Sequence, residues 1–368
     1  MPLMSHDAML RVLALQRSTT SKQVPRAPAA KNLSLGRTGR HNTPSLMNSY
    51  RHHTNGKLRL EIKRQQQARK VACQSATDSG VAGVTDTSGG ICNDTYVVPE
   101  HLGEAFHRDG YVHLPAVLSE EELATTLEEP HYAAFMRGDV LPEGKDLCDM
   151  SGAVGRTRDE FTVYNAMLPR RYKPDMQGSL FERRAASIAE QLYKGKKFAI
   201  DYDQILAKRP RSGDSIFAWH QDMAYWPPFK SDPATATVWL ALDNSTKENG
   251  CMRFIPGSHK SGELRSHAPV RLAAAGRGDE ESSHALFTDV DDEKQHVVYA
   301  EIKRGDVTVH NELVVHGSGP NNSDGWRRAY VLAFRTEKCV AEERSHGFTH
   351  SHNDTFNWDS FHKWQDQQ

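Results

Sequence analysis

Short hydrophobic runs bounded by turn residues fill the chain between residues 197 and 336. The runs are rich in β-branched and aromatic residues, and Gly, Pro, Asn or Asp separates one run from the next, which is typical of β-strands. The predicted strands read FAIDYDQILAK, SIFAWHQDM, ATVWLALDN, CMRFIPG, HVVYAEI, DVTVHNE, VVHGSG and RRAYVLAFRT. Roughly eight short strands with this punctuation predict a β-sandwich or jelly roll.

Helical patterns precede these strands. Residues 98–129 predict a helix, a short strand at Gly110–Leu114 and a second helix that Ser119 caps. A clear amphipathic helix covers Leu180–Gly195, with its apolar residues spaced for one buried face. Residues 130–160 have no regular pattern, and such a long connection is often a lid or binding loop. The expected fold class is therefore mainly β with flanking helices.

The first 93 residues differ from the rest in composition. They are rich in Ser, Thr, Arg, Gln and Asn, nearly lack aromatic residues, and end in a linker-like stretch around residues 85–90. We expect a disordered leader and linker over residues 1–93, a folded domain over 94–345 that begins near Tyr96, and a polar tail over 346–368.

The leader is strongly basic. Residues 1–70 contain 14 Lys and Arg but only two acidic residues, Asp7 and Glu61. A leader rich in Arg and Ser and poor in acids is typical of an organelle transit peptide, and Met9–Gln23 can form a short amphipathic helix. One alternative is a disordered tail that has no targeting function. Another is an arm that binds nucleic acid, but the leader nearly lacks the aromatic residues that would stack on bases. We expect an intracellular protein, in a mitochondrion or plastid or otherwise in the cytoplasm.

Composition excludes several classes of protein. No apolar run approaches the roughly 18 residues of a transmembrane helix, so no membrane partner is expected. The five cysteines form no CxxC pair, which argues against a disulfide scaffold and against a zinc ribbon. Beyond the leader acids outnumber bases, so nucleic acid is not an expected partner. We expect a monomer or homodimer that acts on a small-molecule substrate.

The run FAWHQDMAYWPPF places His220 and Asp222 two residues apart. In a strand, side chains at i and i+2 leave the same face, so an imidazole nitrogen and a carboxylate oxygen can reach one metal ion. Two histidines and one carboxylate on one face, with the other positions open, describe a non-haem Fe(II) site. The pair alone is weak evidence in a chain with 19 histidines. Gln221 points to the other face and is not a candidate ligand.

A later strand can supply the third ligand, and two histidines compete for this role. His310 and His316 both lie in strand-like sequence, and their even spacing does not exclude a shared face. Gly-Ser-Gly follows His316 and lets the backbone approach a cofactor closely, which favours that residue. We interpret His259, in a Pro-Gly-Ser turn, as structural, and His350 and His352, in the polar tail, as solvated surface.

A series of short motifs accompanies the His-x-Asp pair along the chain. They are HQD (His220–Asp222), Trp239, NGC (Asn249–Cys251), PGSHK (Pro256–Lys260), GD (Gly305-Asp306), HGSGPN (His316–Asn321) and Arg327. This order resembles the phytanoyl-CoA dioxygenase family, over roughly residues 96–340 and most strongly between 216 and 335. The resemblance implies a double-stranded β-helix, which is a cupin-like jelly roll, and Fe(II)- and 2-oxoglutarate-dependent oxygenase chemistry.

The resemblance also implies roles for single residues. It assigns the metal to His220, Asp222 and His316. It assigns the far carboxylate of 2-oxoglutarate to Arg327, and by family position it makes Ser318 and Trp239 cosubstrate contacts. Core packing is the alternative role for Trp239.

Strand geometry separates Arg327 from its neighbour Arg328. Alternation puts Arg327 on one face with the small residues at 329, 331 and 333, which suits a buried cosubstrate. A guanidinium holds a carboxylate through two parallel hydrogen bonds. Gln204 lies on the strand before the HQD strand and is expected to face the same cavity.

We therefore expect a dioxygenase that oxidises an unactivated C–H bond of a small metabolite, most simply by hydroxylation, with release of succinate and CO2. Its expected cofactors and cosubstrates are Fe(II), 2-oxoglutarate and O2. Desaturation or oxidative ring closure, hydroxylation of an acyl-CoA, and an inactive binding-only jelly roll are the alternatives. Asp222 argues against halogenation, because related halogenases lack this carboxylate. An acyl-CoA substrate would need a basic surface for the CoA group. The candidates are the following residues, which could also be ordinary solvent-exposed charges: Arg156, Arg158, Arg170, Arg171 and Lys173.

Overall fold

The computed structural model describes residues 90–92, 94–141, 146–152, 156–227, 232–270, 285–354 and 356. The predicted transit-peptide helix, nearly all of the leader and most of the predicted tail lie outside these residues. The domain division expected at residues 93 and 345 stays a prediction. Within the described part, no helix has the length and apolarity needed to cross a membrane.

The described residues contain fifteen antiparallel strands. They are β1 (Gly90–Cys92), β2 (Thr95–Val97), β3 (Tyr111–Leu114), β4 (Leu147–Asp149), β5 (Val163–Met167), β6 (Phe198–Lys208), β7 (Phe217–His220), β8 (Thr235–Ala241), β9 (Met252–Phe254), β10 (Ala268–Pro269), β11 (Leu286–Phe287), β12 (Val298–Ala300), β13 (Val307–His310), β14 (His316–Ser318) and β15 (Arg327–Thr336). Each of the eight runs predicted as strands overlaps one of these elements, and β6 and β15 have the predicted bounds. β1 starts before the folded domain was expected to begin.

Helices flank the strands. They are α1 (Glu100–Asp109), α2 (Glu120–Leu123), α3 (Ala133–Arg137), α4 (Pro169–Tyr172), α5 (Leu180–Leu192) and α6 (Glu337–Ser345), with a π-helical stretch at Ala124–Tyr132 and 3₁₀ turns at Arg158–Glu160, Pro174–Met176, Asp222–Tyr225 and Ser258–Ser261. Ser119 caps α2 as predicted, because its hydroxyl accepts from the Glu122 backbone N–H and the Glu122 carboxylate accepts from the Ser119 N–H. The expectation of irregular chain over 130–160 is partly wrong, since helix continues to Arg137 and β4 follows.

Two antiparallel sheets build the jelly roll. One sheet has the strand order β3-β13-β8-β15-β6-β5-β4, and the other has the order β12-β9-β14-β7. The pairs β1-β2 and β10-β11 form two further small sheets. The strands β4, β5 and β6 pair in sequence order, whereas from β6 to β9 and from β12 to β15 successive strands alternate between the two sheets. This alternation confirms the predicted mainly-β jelly roll.

Side-chain alternation along β15 separates two packed layers. Tyr330 and Leu332 belong to the larger core, which α5 covers. Ala329 and Val331 belong to a second cluster, together with Phe254 of the four-stranded sheet. This second cluster therefore lies between the two sheets, and the same face of β15 carries Arg327 towards it.

The segment 346–354 packs against the domain. Phe348 and His350 are buried, and Asp146 accepts a hydrogen bond from the backbone N–H of His352 at 2.7 Å. The interpretation of His350 as solvated surface is therefore wrong. A polar composition does not distinguish a solvated segment from one whose polar groups are all paired inside the fold.

Candidate active site

Three buried side chains converge between the two sheets. His220 ends β7 and His316 begins β14, and the two residues are directly opposite each other in the antiparallel pair. The Nε2 atoms of His220 and His316 lie 3.5 and 3.3 Å from Oδ1 of Asp222. One ligand atom from each of the three residues lies within 4.8 Å of the other two. The cluster can hold a metal ion from one side and leave its other side open.

Asp222 reaches this cluster from a turn. β7 stops at His220, and Asp222 is the first residue of a 3₁₀ turn that ends at Tyr225. The backbone N–H of Met223 donates to the carbonyl oxygen of Glu312 at 3.0 Å, which ties the turn to the segment after β13. The expected strand alternation is therefore the wrong reason for the meeting of His220 and Asp222, although they do meet.

Backbone carbonyls orient both imidazoles. Nδ1 of His220 lies 2.8 Å from the carbonyl oxygen of Ala218, and Nδ1 of His316 lies 2.9 Å from that of Val314. A carbonyl oxygen only accepts, so each Nδ1 carries the proton and each Nε2 turns a lone pair towards the cluster. Burial, and then the neighbouring His316, lowers the pKa of His220, which favours the neutral form that binds metals.

The second oxygen of Asp222 is occupied by protein groups. The Thr237 hydroxyl donates to Oδ2 at 2.9 Å, and Nε2 of His310 lies 3.2 Å from the same oxygen. Oδ1 is thus the oxygen that faces His220 and His316. The structure places His310 beside the cluster as a partner of the outer oxygen, and it brings His316 into the group of three.

The cluster opens into a cavity of about 620 Å³. The structure places all four residues predicted to contact the cosubstrate in its wall, namely Gln204, Trp239, Ser318 and Arg327. They come from β6, β8, β14 and β15, so both sheets contribute.

Arg327 is the least satisfied of these wall residues. It is 3% exposed, and its guanidinium lies 5.1 Å from the centre of the Trp239 ring. Within the described residues its Nε and Nη1 atoms, and the indole Nε1 of Trp239, have no hydrogen-bond partner. Burial lowers the pKa of Arg327 to about 10. Buried donors without partners are costly, so this corner fits a ligand that brings a carboxylate.

Arg328 faces the opposite side of β15, as alternation predicts. It donates to both oxygens of Asp243, at 3.0 and 2.7 Å, and pairs with Glu128 at 2.6 Å. Its charge is satisfied by the protein itself, in contrast to that of Arg327.

Gln221 anchors another wall of the cavity. Its Oε1 accepts from the Arg265 N–H at 2.8 Å, and its Nε2 donates to the carbonyl oxygens of Glu263 and Leu313 at 3.1 and 2.8 Å. Its own backbone N–H donates to Nε2 of His267 at 3.1 Å. Arg265 and His267 line the cavity. The sequence pattern excluded Gln221 as a ligand but predicted no role for it.

Two further polar residues, Lys208 and Asn165, lie in the wall without having been predicted there. Lys208 lies on the same face of β6 as Gln204, so the alternation that turns Gln204 inward predicts the same for Lys208. Asn165 lines the cavity from β5, a strand that no pattern predicted.

A second group of potential metal ligands is an ion-pair network instead. Asp201, Glu343 and His350 bring three ligand atoms together. Arg335 donates to both carboxylates, and Arg344 donates to Asp201 at 2.7 Å. Two arginines already neutralise the two acids, so a further cation has no uncompensated charge to bind.

The sequence profile described as "Phytanoyl-CoA dioxygenase (PhyH)" matches residues 106–329. Human peroxisomal phytanoyl-CoA dioxygenase is 28% identical over 153 residues, which cover 40% of this chain and 43% of that protein. A probable alpha-ketoglutarate-dependent hypophosphite dioxygenase of Stutzerimonas stutzeri is 33% identical over 129 residues, which cover 34% of this chain and 41% of that protein. The chain thus matches less than half the length of these curated relatives.

A solved structure supports the fold over a longer stretch. The crystal structure of EvdO2 from Micromonospora carbonacea var. aurantiaca is 28% identical, with a TM-score of 0.51, and covers 65% of this chain and 91% of that one. The family profile covers more than half of the chain and includes both His220–Asp222 and His316. The chain therefore belongs to the phytanoyl-CoA dioxygenase (PhyH) family.

Proposed function

We propose that the protein is an Fe(II)- and 2-oxoglutarate-dependent dioxygenase that oxidises a C–H bond of a small metabolite, most simply by hydroxylation. One observation carries the proposal: a His–Asp–His cluster shares one cavity with the buried guanidinium of Arg327, whose Nε and Nη1 have no acceptor among the described residues. The first is a donor set suited to Fe(II), and the second suits the far carboxylate of 2-oxoglutarate. Bound iron would supply the activation of O2, with release of succinate and CO2.

The protein's own part in this chemistry is positioning. His220, His316 and Oδ1 of Asp222 would hold the metal, while Thr237 and His310 keep the carboxylate turned. Both histidines are already held in the required tautomer by carbonyl oxygens, so little reorganisation is needed on binding.

The cavity supports a small substrate. Its size falls in the range of roughly 300–1,000 Å³ that is usual for small-molecule sites. Its wall beyond the cluster combines apolar side chains with the polar residues Asn165, Arg265 and His267. Among the described residues Arg265 forms no ion pair with a carboxylate, so we propose a substrate that carries a carboxylate or a comparable anionic group.

The basic residues considered for CoA have partners of their own. Arg156 pairs with Asp149 and Asp214, and Arg158 donates to two backbone carbonyls. The other three pair with acids, as Arg170–Glu182, Arg171–Asp354 and Lys173–Asp175. A surface whose charges are already paired gives little attraction to a phosphate-rich ligand. A small metabolite is thus better supported than an acyl-CoA.

The test is succinate release by the purified protein supplied with Fe(II), 2-oxoglutarate and a library of small carboxylated metabolites. We expect iron-dependent succinate formation that at least one compound class stimulates tenfold or more, and product analysis then separates hydroxylation from desaturation or ring closure. A protein that binds iron and 2-oxoglutarate but releases no succinate with any compound would instead be the binding-only jelly roll.

The leader carries a separate proposal about location. Its acid-poor, Arg- and Ser-rich composition supports import into a mitochondrion or plastid. Residues 1–93 fused to a fluorescent protein are expected to direct it to one of these organelles. A diffuse cytoplasmic signal would support the alternative of a tail without an address.

A further inference from the structure

A second buried cation lies directly across from Arg327. Lys208, the last residue of β6, is the register partner of Arg327 at the start of β15. Lys208 is 1% exposed, Arg327 is 3% exposed, and both line the cavity of the His–Asp–His cluster. Directly opposite residues on antiparallel strands leave the same face, with Cβ atoms about 4.5–5.5 Å apart. The fold therefore sets two like charges side by side in its interior.

Among the residues that the structure describes, no acid pairs with either basic side chain, Lys208 or Arg327. Lys208 Nζ donates to the carbonyl oxygens of Ser318, at 3.2 Å, and Gly319. An ammonium has three donors, so these two carbonyls leave one for a ligand. Burial, and then the charge of Arg327, holds the pKa of Lys208 well below its usual range.

Two other buried cations of this protein, Arg184 and Arg335, form ion pairs with carboxylates. Arg184 is 1% exposed and donates to both oxygens of Glu122, at 2.8 and 2.9 Å. Arg335 is fully buried and bonds Asp201 and Glu343. Buried charges are normally paired in this way, and like charges placed opposite each other destabilise a sheet. Among the buried cations that the structure describes, Lys208 and Arg327 are the exception, and both lie in the wall of the active-site cavity.

We propose that Lys208 and Arg327 together form a two-cation site for the distal carboxylate of the cosubstrate. The inference rests on the proposed function and adds to it. Arg327 offers the planar fork, and Lys208 offers a point charge from the neighbouring strand while it holds the backbone that follows His316. A 2-oxo acid with a second carboxylate can form an ion pair with both cations. A 2-oxo acid without one leaves the two positive charges unpaired and repelling each other.

The test compares two ligands that differ in this group. The Fe(II)-loaded protein is titrated by calorimetry under nitrogen with 2-oxoglutarate and with pyruvate, which has no distal carboxylate. The variants are Lys208→Met, which removes the charge, and Lys208→Gln, whose amide can still donate to the carbonyls of Ser318 and Gly319. Lys303→Met, at an exposed lysine, is the matched control.

We expect both Lys208 variants to weaken 2-oxoglutarate binding tenfold or more and to change pyruvate binding less than twofold. Lys208→Gln, which can still bond the backbone after His316, should also change Fe(II) binding less than twofold. The Lys303 variant should bind like the wild type. An unchanged affinity of either folded Lys208 variant for 2-oxoglutarate would overturn the inference, and so would an equal loss for both acids. If the wild type itself does not bind 2-oxoglutarate, the proposed function fails. This result differs from a failure of the Lys208 inference, in which the wild type binds and the Lys208 variants bind equally well.

Discussion

The two oxygens of Asp222 have different surroundings, and this difference organises the site at the scale of single residues. Oδ1 lies between the Nε2 atoms of His220 and His316, whereas Oδ2 faces Thr237 and His310. A carboxylate held in this way can give one oxygen to a metal without rotating. In the proposed site His310 would therefore position Asp222, although the sequence left it as a rival ligand.

The first prediction concerns the three ligands. Alanine at His220, Asp222 or His316 should abolish tight Fe(II) binding, because two remaining ligands hold the ion poorly. His310→Ala should keep an iron site but weaken it roughly 10- to 100-fold, as is usual when a group that orients a ligand is lost. Calorimetric Fe(II) titration under nitrogen measures both effects.

His259→Ala is the matched control, since His259 contacts the backbone carbonyl of His107 and lies outside the cavity wall. Iron binding that survives His316→Ala but not His310→Ala would show that the third ligand is assigned to the wrong histidine.

The second prediction separates two adjacent arginines. Arg327→Lys keeps the charge but loses the fork, so the apparent Michaelis constant for 2-oxoglutarate should rise roughly ten- to a hundredfold, from a loss of about 1.5–3 kcal/mol. Arg328→Lys should change it by no more than about twofold, because Arg328 faces Asp243 and Glu128. The measurement is a 2-oxoglutarate titration of succinate release. A larger effect at Arg328 would mean that the register of β15 is wrong by one residue.

At the scale of elements, alternation along strands was the most informative pattern in the sequence. It placed Arg327 on the face where the structure has it, and the same alternation along β6 puts Lys208 on the face of Gln204. It failed at Asp222, because β7 ends at His220 and a turn follows. Where a strand ends depends on pairing with another strand, and a single run of residues does not contain that information.

Hydrogen bonds between distant segments were beyond sequence analysis for the same reason. Gln221 joins the turn that carries Asp222 to residues 263–267, more than 40 positions later. The sequence shows only that Gln221 lies between His220 and Asp222. This spacing turns its side chain away from the metal candidates but does not identify its partners.

The third prediction tests this link between elements. Gln221→Leu removes the acceptor of the Arg265 N–H and the donor to Glu263 and Leu313. We expect hydrogen exchange of the Arg265 amide to become roughly tenfold faster, because local opening no longer breaks these bonds. Gln295→Leu, at an exposed glutamine, should leave this exchange unchanged. Equal exchange rates in wild type and Gln221→Leu would show that other contacts hold the segment.

At the scale of the whole molecule, the chain following the jelly roll closes one side of the fold. Helix α6 contributes Glu343, and the segment after it contributes His350, to a buried network with Asp201, Arg335 and Arg344. His350 also lines the active-site cavity. The sequence predicted a polar tail here, because each of these residues is polar by itself and their mutual pairing appears only in the folded chain.

This packing gives the stability of the protein a pH dependence, which is the last prediction. Burial alone would lower the pKa of His350, but the carboxylates of Asp201 and Glu343 raise it above its ordinary value. The ring lies 2.9 Å from Asp201 and 3.4 Å from Glu343, and Arg335 and Arg344 bind the same acids.

Because the folded-state pKa is raised, the stabilisation from His350 is full below the unfolded value of about 6.5 and is lost as the pH rises through the folded value. His350→Gln should therefore lower the free energy of unfolding by roughly 1–3 kcal/mol near pH 6 and by less near pH 9. Urea unfolding at several pH values measures the difference, with His101→Gln, at an exposed histidine of α1, as the control. A difference that grows with pH would mean that the ring is neutral in the folded protein, and the sign of its contribution would be reversed.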